Sequence, residues 1–249
     1  MGQQGAAREA IAYTLALAVI LGVWQAAASY SHLLPGVPQA LSFLYDNLGQ
    51  AGWDTLITLE NTVAGFTIAV ILALALAWAA MLGGLVEETV KAFNVVVQSV
   101  SVLVWSLLFL IVYGFTSRLP AMSVAAATAF PIMLSGTLKG FELSRAEYGE
   151  LSRMLGLSKT QEFAHILAPG SLPFLVASAR SALGAALRIS VVAEAFGASG
   201  GIGYRLWLYY ELHNYEGFMA WALLLVTLML VLDKLVLERV EAWGRRWTG

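Results

Sequence analysis

Charged residues occur in this chain at two places where their chemistry needs an explanation. Arg180, Arg188 and Glu194 interrupt an otherwise apolar run, and Glu150–Pro169 (ELSRMLGLSKTQEFAHILAP) is a long polar stretch between two apolar ones. An arginine at the centre of a membrane helix costs at least ~2.5–3.5 kcal/mol, so it must face protein, a partner or water. Arg180, Gly184 and Arg188 recur every four residues, on one slowly drifting face with Ser181 and Ala185. Arg180 lies nearer the start of the run, where it can snorkel or meet helix C-terminal carbonyls as readily as act in function. Arg188 lies near mid-span and suits either of two roles, contact with a substrate anion or an internal ion pair. Six residues turn a helix by about 600°, equivalent to about 240°, so a pair between Arg188 and Glu194 requires another helix or subunit.

Other chemistries are poorly served. Cysteine is absent, which removes disulfides, iron–sulfur clusters, thiolate catalysis and cysteine-based zinc sites. His32, His165 and His213 are too far apart for a local metal motif, and Ser190 or Ser199 has no adjoining base, so no catalytic, metal or cofactor-binding residue is expected. The glycine-rich run Gly197–Gly203, with Gly200 and Gly201, is not followed by Lys-Ser/Thr; it reads as a tight turn before a surface or re-entrant segment anchored by Trp207, Tyr209 and Tyr210. No G-x-x-x-x-G-K-[ST] occurs, so the chain has no phosphate-binding loop for ATP.

The polar stretch has a definite local grammar. Tyr148, Leu151 and Leu155 follow helical spacing, and Gly156 suits the left-handed position that closes a helix. Ser158 and Gln161 form a capping box for a second helix, whose face is Phe163, Ile166 and Leu167 and which Pro169 is expected to stop. The expectation is a compact helix-turn-helix outside the bilayer.

The elements around it are membrane spans. Only 12% of the 249 residues are charged against about 25% in soluble domains, and the mean hydropathy is +0.74. With a net charge of −2, the chain is not expected to bind nucleic acid. Apolar segments cover about 10–29, 62–82, 94–113, 119–138, 171–196 and 218–237, each near the ~20 residues that cross a bilayer. The first reads as a retained span, being longer than a signal-peptide core. Pro131 should kink the fourth span, and Trp105 falls mid-way along the third, as packing or as a cavity wall. Between the first two spans, Ala40, Leu41, Leu44 and Leu48 suit a helix lying in the outer interface.

Six spans place both termini on one side. If that side is the cytoplasm, it holds Arg8, Lys91, Lys139, Arg145, Arg153, Lys159, Lys234, Arg239, Arg245 and Arg246, against Arg118 and Arg205 outside. That bias puts the loop 139–170 in the cytoplasm. The expected fold is all-α: a polytopic membrane protein with six transmembrane helices and a cytoplasmic helix-turn-helix.

The spacing Glu150, Gly156, Ile166, Ala168-Pro169 resembles the coupling loop of ABC importer permeases, E-A-A-x3-G-x9-I-x-L-P, with Leu151-Ser152 in place of two alanines and Ala168 in place of leucine. Leu33–Pro38 (LLPGVP), Phe130-Pro131-Ile132, and Val191-Val192-Ala193-Glu194 followed by Gly197-Ala198-Ser199, Gly201 and Gly203-Tyr204 are similar to the nitrate, sulfonate and taurine subgroup, although no proline cluster opens the third span. The resemblance implies a single permease domain over 1–249 in the inner membrane. It implies a second permease copy in a homodimer, two cytoplasmic ATPase subunits that carry ATP and Mg, and an external substrate-binding protein. By this resemblance Glu150, Leu151, Gly156, Leu157, Ser158, Ile166 and Pro169 couple to the ATPase, and Arg188, Glu194, Arg180, Trp105, Gly200 and Gly201 are candidates for the substrate pathway or gate. The implied cargo is a small anion such as a sulfonate or nitrate. Related permeases carry pyrimidine or riboflavin-type vitamin precursors, which an aromatic wall at Trp105 would suit. An ion-coupled carrier would leave the polar hairpin without a role, and no inverted repeat joins the halves.

Overall fold

The computed structural model describes residues 2–31, 33–115, 117–197 and 199–234, and they form helices without a strand. The end of the expected sixth span, its flanking Arg239, Arg245 and Arg246, and the positions His32 and Ala198 lie outside the described residues.

Three long helices make the body. α3 (Leu48–Ala80), α6 (Leu119–Met154) and α8 (Ala168–Ala195) pack on one another. Their contact is built from small residues: Ala69, Ala73 and Ala77 of α3 meet Ala125, Ala129 and Met133 of α6, with Ala182 and Ala186 of α8 in the same core. In lipid, where helices gain nothing by hiding leucine from water, close backbone approach through small side chains is what holds them. Gly140 of α6 illustrates it, since a Cβ there would sit 2.8 Å from Ser171 Cβ of α8.

The remaining helices are arranged around this body: α1 (Gly2–Tyr30), α2 (Val37–Asp46), α4 (Gly84–Ser99), α5 (Val102–Tyr113), the one-turn α7 (Lys159–Glu162), α9 (Ile202–Glu211) and α10 (Tyr215–Leu232). α2 forms as expected but buries Ala40 and packs Phe43 and Leu44 toward Trp221 of α10. Leu48 belongs to the next helix.

Several expected boundaries are corrected. Four described helices are long and apolar enough to cross a membrane, or five if the bent pair α4–α5 is one span; six are not seen. α1 runs from Gly2 to Tyr30, and Leu15–Tyr30 is its apolar part among the residues searched. The third span breaks: Val100 and Ser101 are both extended, and α4 and α5 meet at 91°. Consequently Trp105 stands in the first turn of α5 instead of mid-span. The second span starts at Leu48, well before Thr62, because Asp54, Thr58 and Asn61 are buried and bonded inside the bundle. α6 runs through Pro131 and past Leu138 to Met154, so the amphipathic turn at Tyr148–Leu155 is the end of a long helix.

Pro169 does not stop a helix. A π-helical turn over Phe163–Leu167 leads directly into α8, with Pro169 in its first turn. The wider turn removes the need for a proline N–H and relieves its ring from the carbonyl one turn back, so the chain stays helical from Lys159 to Ala195.

Candidate functional site

The turn between α6 and α7 is built by local rules. Leu155 caps α6, and Gly156 follows at φ +63°. Gly156 N–H donates to Arg153 O at 3.2 Å and Leu157 N–H to Ser152 O at 3.1 Å, the paired bonds of a Schellman motif. Ser158 N–H then donates to Gln161 Oε1 at 2.9 Å and Gln161 N–H to Ser158 Oγ at 3.3 Å, closing the capping box that the sequence predicts. Two helices are thereby joined through a hairpin whose bend rests on one residue with positive φ.

Its two arms face opposite ways. Phe163 lies edge-on to Phe141 of α6 at 5.7 Å, Leu167 is buried and Ile166 half-buried, so this apolar face is spent inside the protein. Arg145 of α6 bonds Glu162 at 3.2 Å and locks the arms together. The exposed face instead carries Tyr148 (42% exposed), Leu151 (50%), Met154 (85%) and Leu155 (63%), with exposed Glu150 beside them. Half-buried Leu157 follows the turn, and exposed Pro169 lies farther on, in the first turn of α8. An apolar knob on a rigid bend at the end of the long hairpin is what a soluble partner's groove could grip.

About 40 Å away, at the other end of α8, lies a buried polar network. Asp54, Thr58, Asn61 and Thr62 share one face of α3 and are all buried. Glu194 of α8, with no exposed surface, accepts from Asn61 Nδ2 at 2.8 Å, Thr58 Oγ1 at 2.9 Å and Gly203 N–H at 3.1 Å. Thr62 and Ser190 hydroxyls meet at 2.8 Å. Asp54 accepts from Gln50 Nε2 at 2.9 Å, Arg205 Nε at 3.0 Å and Trp221 Nε1 at 3.0 Å. The two carboxylates thus pin α9 and α10 to α3 and α8.

Glycines make this docking possible. A Cβ on Gly203 would run into Val191 O, and one on Gly201 would lie 2.5 Å from the Glu194 carboxylate. Gly200 and Gly201 are therefore a close-approach turn, and Tyr209 is no interface anchor: its ring packs 5.2 Å from Trp221. Trp207 and Tyr210 do stay exposed.

The expected pathway residues are not brought together. Glu194 faces α3, while Arg188, two turns earlier, is exposed on the other side of α8 and bonds to no described residue. Within one chain the two do not pair. Arg180 reaches Asp233 at 3.4 Å. Trp105 stacks on Phe109 at 5.5 Å and helps line a cavity of about 170 Å³ with Gln98, Thr128 and Pro131. Of this polar network only Glu194 is an expected site residue, because the second span is expected to start at Thr62; the signal for the rest is the helical spacing of Asp54, Thr58, Asn61 and Thr62.

With this geometry in hand, similarity to known proteins is informative. Residues 65–238 match the family described as "Binding-protein-dependent transport system inner membrane component". The chain is 26% identical over 253 residues to the nitrate import permease protein NrtB of Synechococcus elongatus, covering 94% of this chain and 88% of that one. It is 24% identical over 252 residues to the bicarbonate transport system permease protein CmpB of the same organism, with the same coverage. With the formylaminopyrimidine transport permease protein ThiX of Halalkalibacterium halodurans it shares 25% over 201 residues, 79% of this chain and 80% of that one. Among solved structures, an amino acid ABC transporter crystallised with histidines superposes with TM-score 0.69 at 16% identity, over 83% of this chain and 97% of that one. The MetNI methionine ABC transporter in an inward-facing conformation gives 0.65 at 22%, over 83% and 98%. At these identities the structures speak for the fold alone.

Proposed function

We infer, from the premise that this chain belongs to the binding-protein-dependent transport system inner membrane component family, how it works as an ABC importer permease. The loop 139–170 is the ATPase-coupling element. Tyr148, Leu151, Met154 and Leu155 enter a groove on a cytoplasmic ATPase subunit, and Glu150 marks the rim. Gly156 and Ser158 fix the bend, Leu157 follows it, and Ile166 and Pro169 transmit it into α8. The exposed apolar knob on this capped bend is the observation that carries the reading.

The complete transporter comprises a homodimer of this chain, two ATPase subunits holding ATP and Mg, and an external binding protein. Both termini lie in the cytoplasm, following the positive-inside bias. When the ATPases close on ATP, the two hairpins are drawn together. Because α6 and α8 are single stiff helices packed through glycine and serine, the displacement is passed along them to the polar network at the far end. Two packings of the bundle, each favoured by a different ATPase state, alternate access to the pathway.

The cargo is a small organic or inorganic anion, in keeping with the nitrate and bicarbonate permeases among the relatives. A pyrimidine-type vitamin precursor is the second reading, favoured by the stacked Trp105–Phe109 wall and the formylaminopyrimidine relative. The experiment is co-purification of this chain with its ATPase from the native membrane, followed by uptake in liposomes. Gly156→Val should leave the chain in the membrane and uncouple hydrolysis from uptake; normal uptake by that variant refutes the lever.

A further inference from the structure

Arg188 is a charge that the described fold leaves unanswered. It is exposed on α8, two turns before the helix ends, on a face shared with exposed Ser181 and Val192. A guanidinium stays charged in any protein environment, so along an apolar helix it requires an anion or water. The acids carried by α3 and α8 along their packed lengths are already engaged: Asp54 with Arg205 and Trp221, Glu60 with Arg118 at 2.7 Å, Glu194 with Thr58, Asn61 and Gly203. Farther along, Asp233 faces Arg180. The α3 and α8 helices of a second copy would bring the same engaged acids and one more arginine.

We propose that Arg188 holds a mobile oxyanion on the transport path, a small planar or tetrahedral species that takes two N–H groups of the guanidinium at once. Like charges from two copies would then face one another across the path, which attracts an anion and repels a cation. This assignment rests on the permease reading and names its substrate class. A lipid phosphate offers the same chemistry, and the test separates the two.

The test uses the whole transporter, with ATPase and binding protein, in liposomes. Nitrate, bicarbonate, taurine and an aminopyrimidine are the probes, and ATP hydrolysis is the second readout. Arg188→Gln should lower uptake of the anion carried by about ten-fold or more, the scale of one lost charge-assisted bond, while stimulated hydrolysis persists. Arg188→Lys should keep most of the uptake, and Arg188→Glu should abolish it. Since the chain has no cysteine, Arg188→Cys in cysteine-free partners gives a second arm: an aminoethyl thiosulfonate should restore uptake and a sulfonatoethyl one should not.

Unchanged anion uptake in Arg188→Gln overturns the proposal. If that variant instead loses thermal stability in phospholipid but not in galactolipid bilayers, the anion is a headgroup. A wild-type complex that hydrolyses ATP yet carries only the uncharged pyrimidine overturns the anion assignment and leaves the permease reading standing. A chain that transports without an ATPase overturns that reading first, and this proposal with it.

Discussion

Thr58 of α3 donates its hydroxyl hydrogen to Glu194 of α8 at 2.9 Å, and the same oxygen accepts the backbone N–H of Ile202 at 2.9 Å. One hydroxyl therefore ties a core helix, the end of the hairpin helix and the first turn of α9. Every polar atom at this junction has been taken from water, so each substitution exposes how its partner is satisfied.

Glu194→Gln should be mild. Asn61 Oδ1 is buried without a hydrogen-bond partner while Asn61 Nδ2 donates to Glu194. Turning that amide over lets Asn61 accept from a glutamine nitrogen, with the glutamine oxygen still taking Thr58 and Gly203. We expect a loss under about 1 kcal/mol for Glu194→Gln, against several for Glu194→Ala, which strands three donors at about 1–3 kcal/mol each. Thermal unfolding in detergent measures both, and equal losses would refute the amide rotation.

Asp54 behaves differently because a cation faces it. Arg205→Met leaves a buried carboxylate without its charge partner and should cost about 3–5 kcal/mol. Trp221→Phe removes one bond to the same oxygen and should cost about 1.5–3 kcal/mol. Adding Asp54→Asn to Arg205→Met should recover part of the loss. A double variant less stable than Arg205→Met would mean that Asp54 is held by something other than the pair.

Gly203 and Gly156 should fail in different ways. At Gly203 the obstacle is backbone, Val191 O, which cannot swing aside; Gly203→Ala should lift α9 off Glu194 and cost about 1–3 kcal/mol or more by overpacking. Gly156 has open space around it but sits at φ +63°, so Gly156→Ala costs about 1–2 kcal/mol in backbone strain alone. Stability should fall further in the first, and coupling of ATP hydrolysis to uptake should fall selectively in the second. The opposite order sinks the assignment of Gly156 to a lever.

What could be read in the sequence was what neighbours in sequence decide. Gly156, Ser158 and Gln161 form their turn with partners within five residues, so spacing alone predicts it. The break at Val100–Ser101 carries no proline or glycine, and the helices on either side of the extended pair, α4 and α5, each pack on α6. Pro169 looked like a stop because a regular α-helix was assumed before it, whereas the chain supplies a π turn. Asp54 and Asn61 precede the expected start of the second span at 62, and their partners, Arg205, Trp221 and Glu194, lie more than 130 residues away. Buried polar atoms are unfavourable until those partners arrive, and only the tertiary fold brings them.

The two faces of the hairpin give the sharpest contrast. Phe163 and Leu167 point inward, so Leu167→Ala should create a cavity under α6 and cost about 2–5 kcal/mol, seen as a lower Tm of the isolated chain. Met154 and Leu155 are outward and mostly exposed, so Met154→Asp and Leu155→Asp should leave the stability of the isolated chain within about 0.5 kcal/mol of wild type. The same two substitutions should abolish capture of the ATPase subunit, because a carboxylate carried into an apolar groove loses its water without gaining a partner. Co-purification with the ATPase at matched expression decides it. If both aspartate variants still retain the ATPase, the partner grips a different surface and the exposed apolar face of α6 has another use.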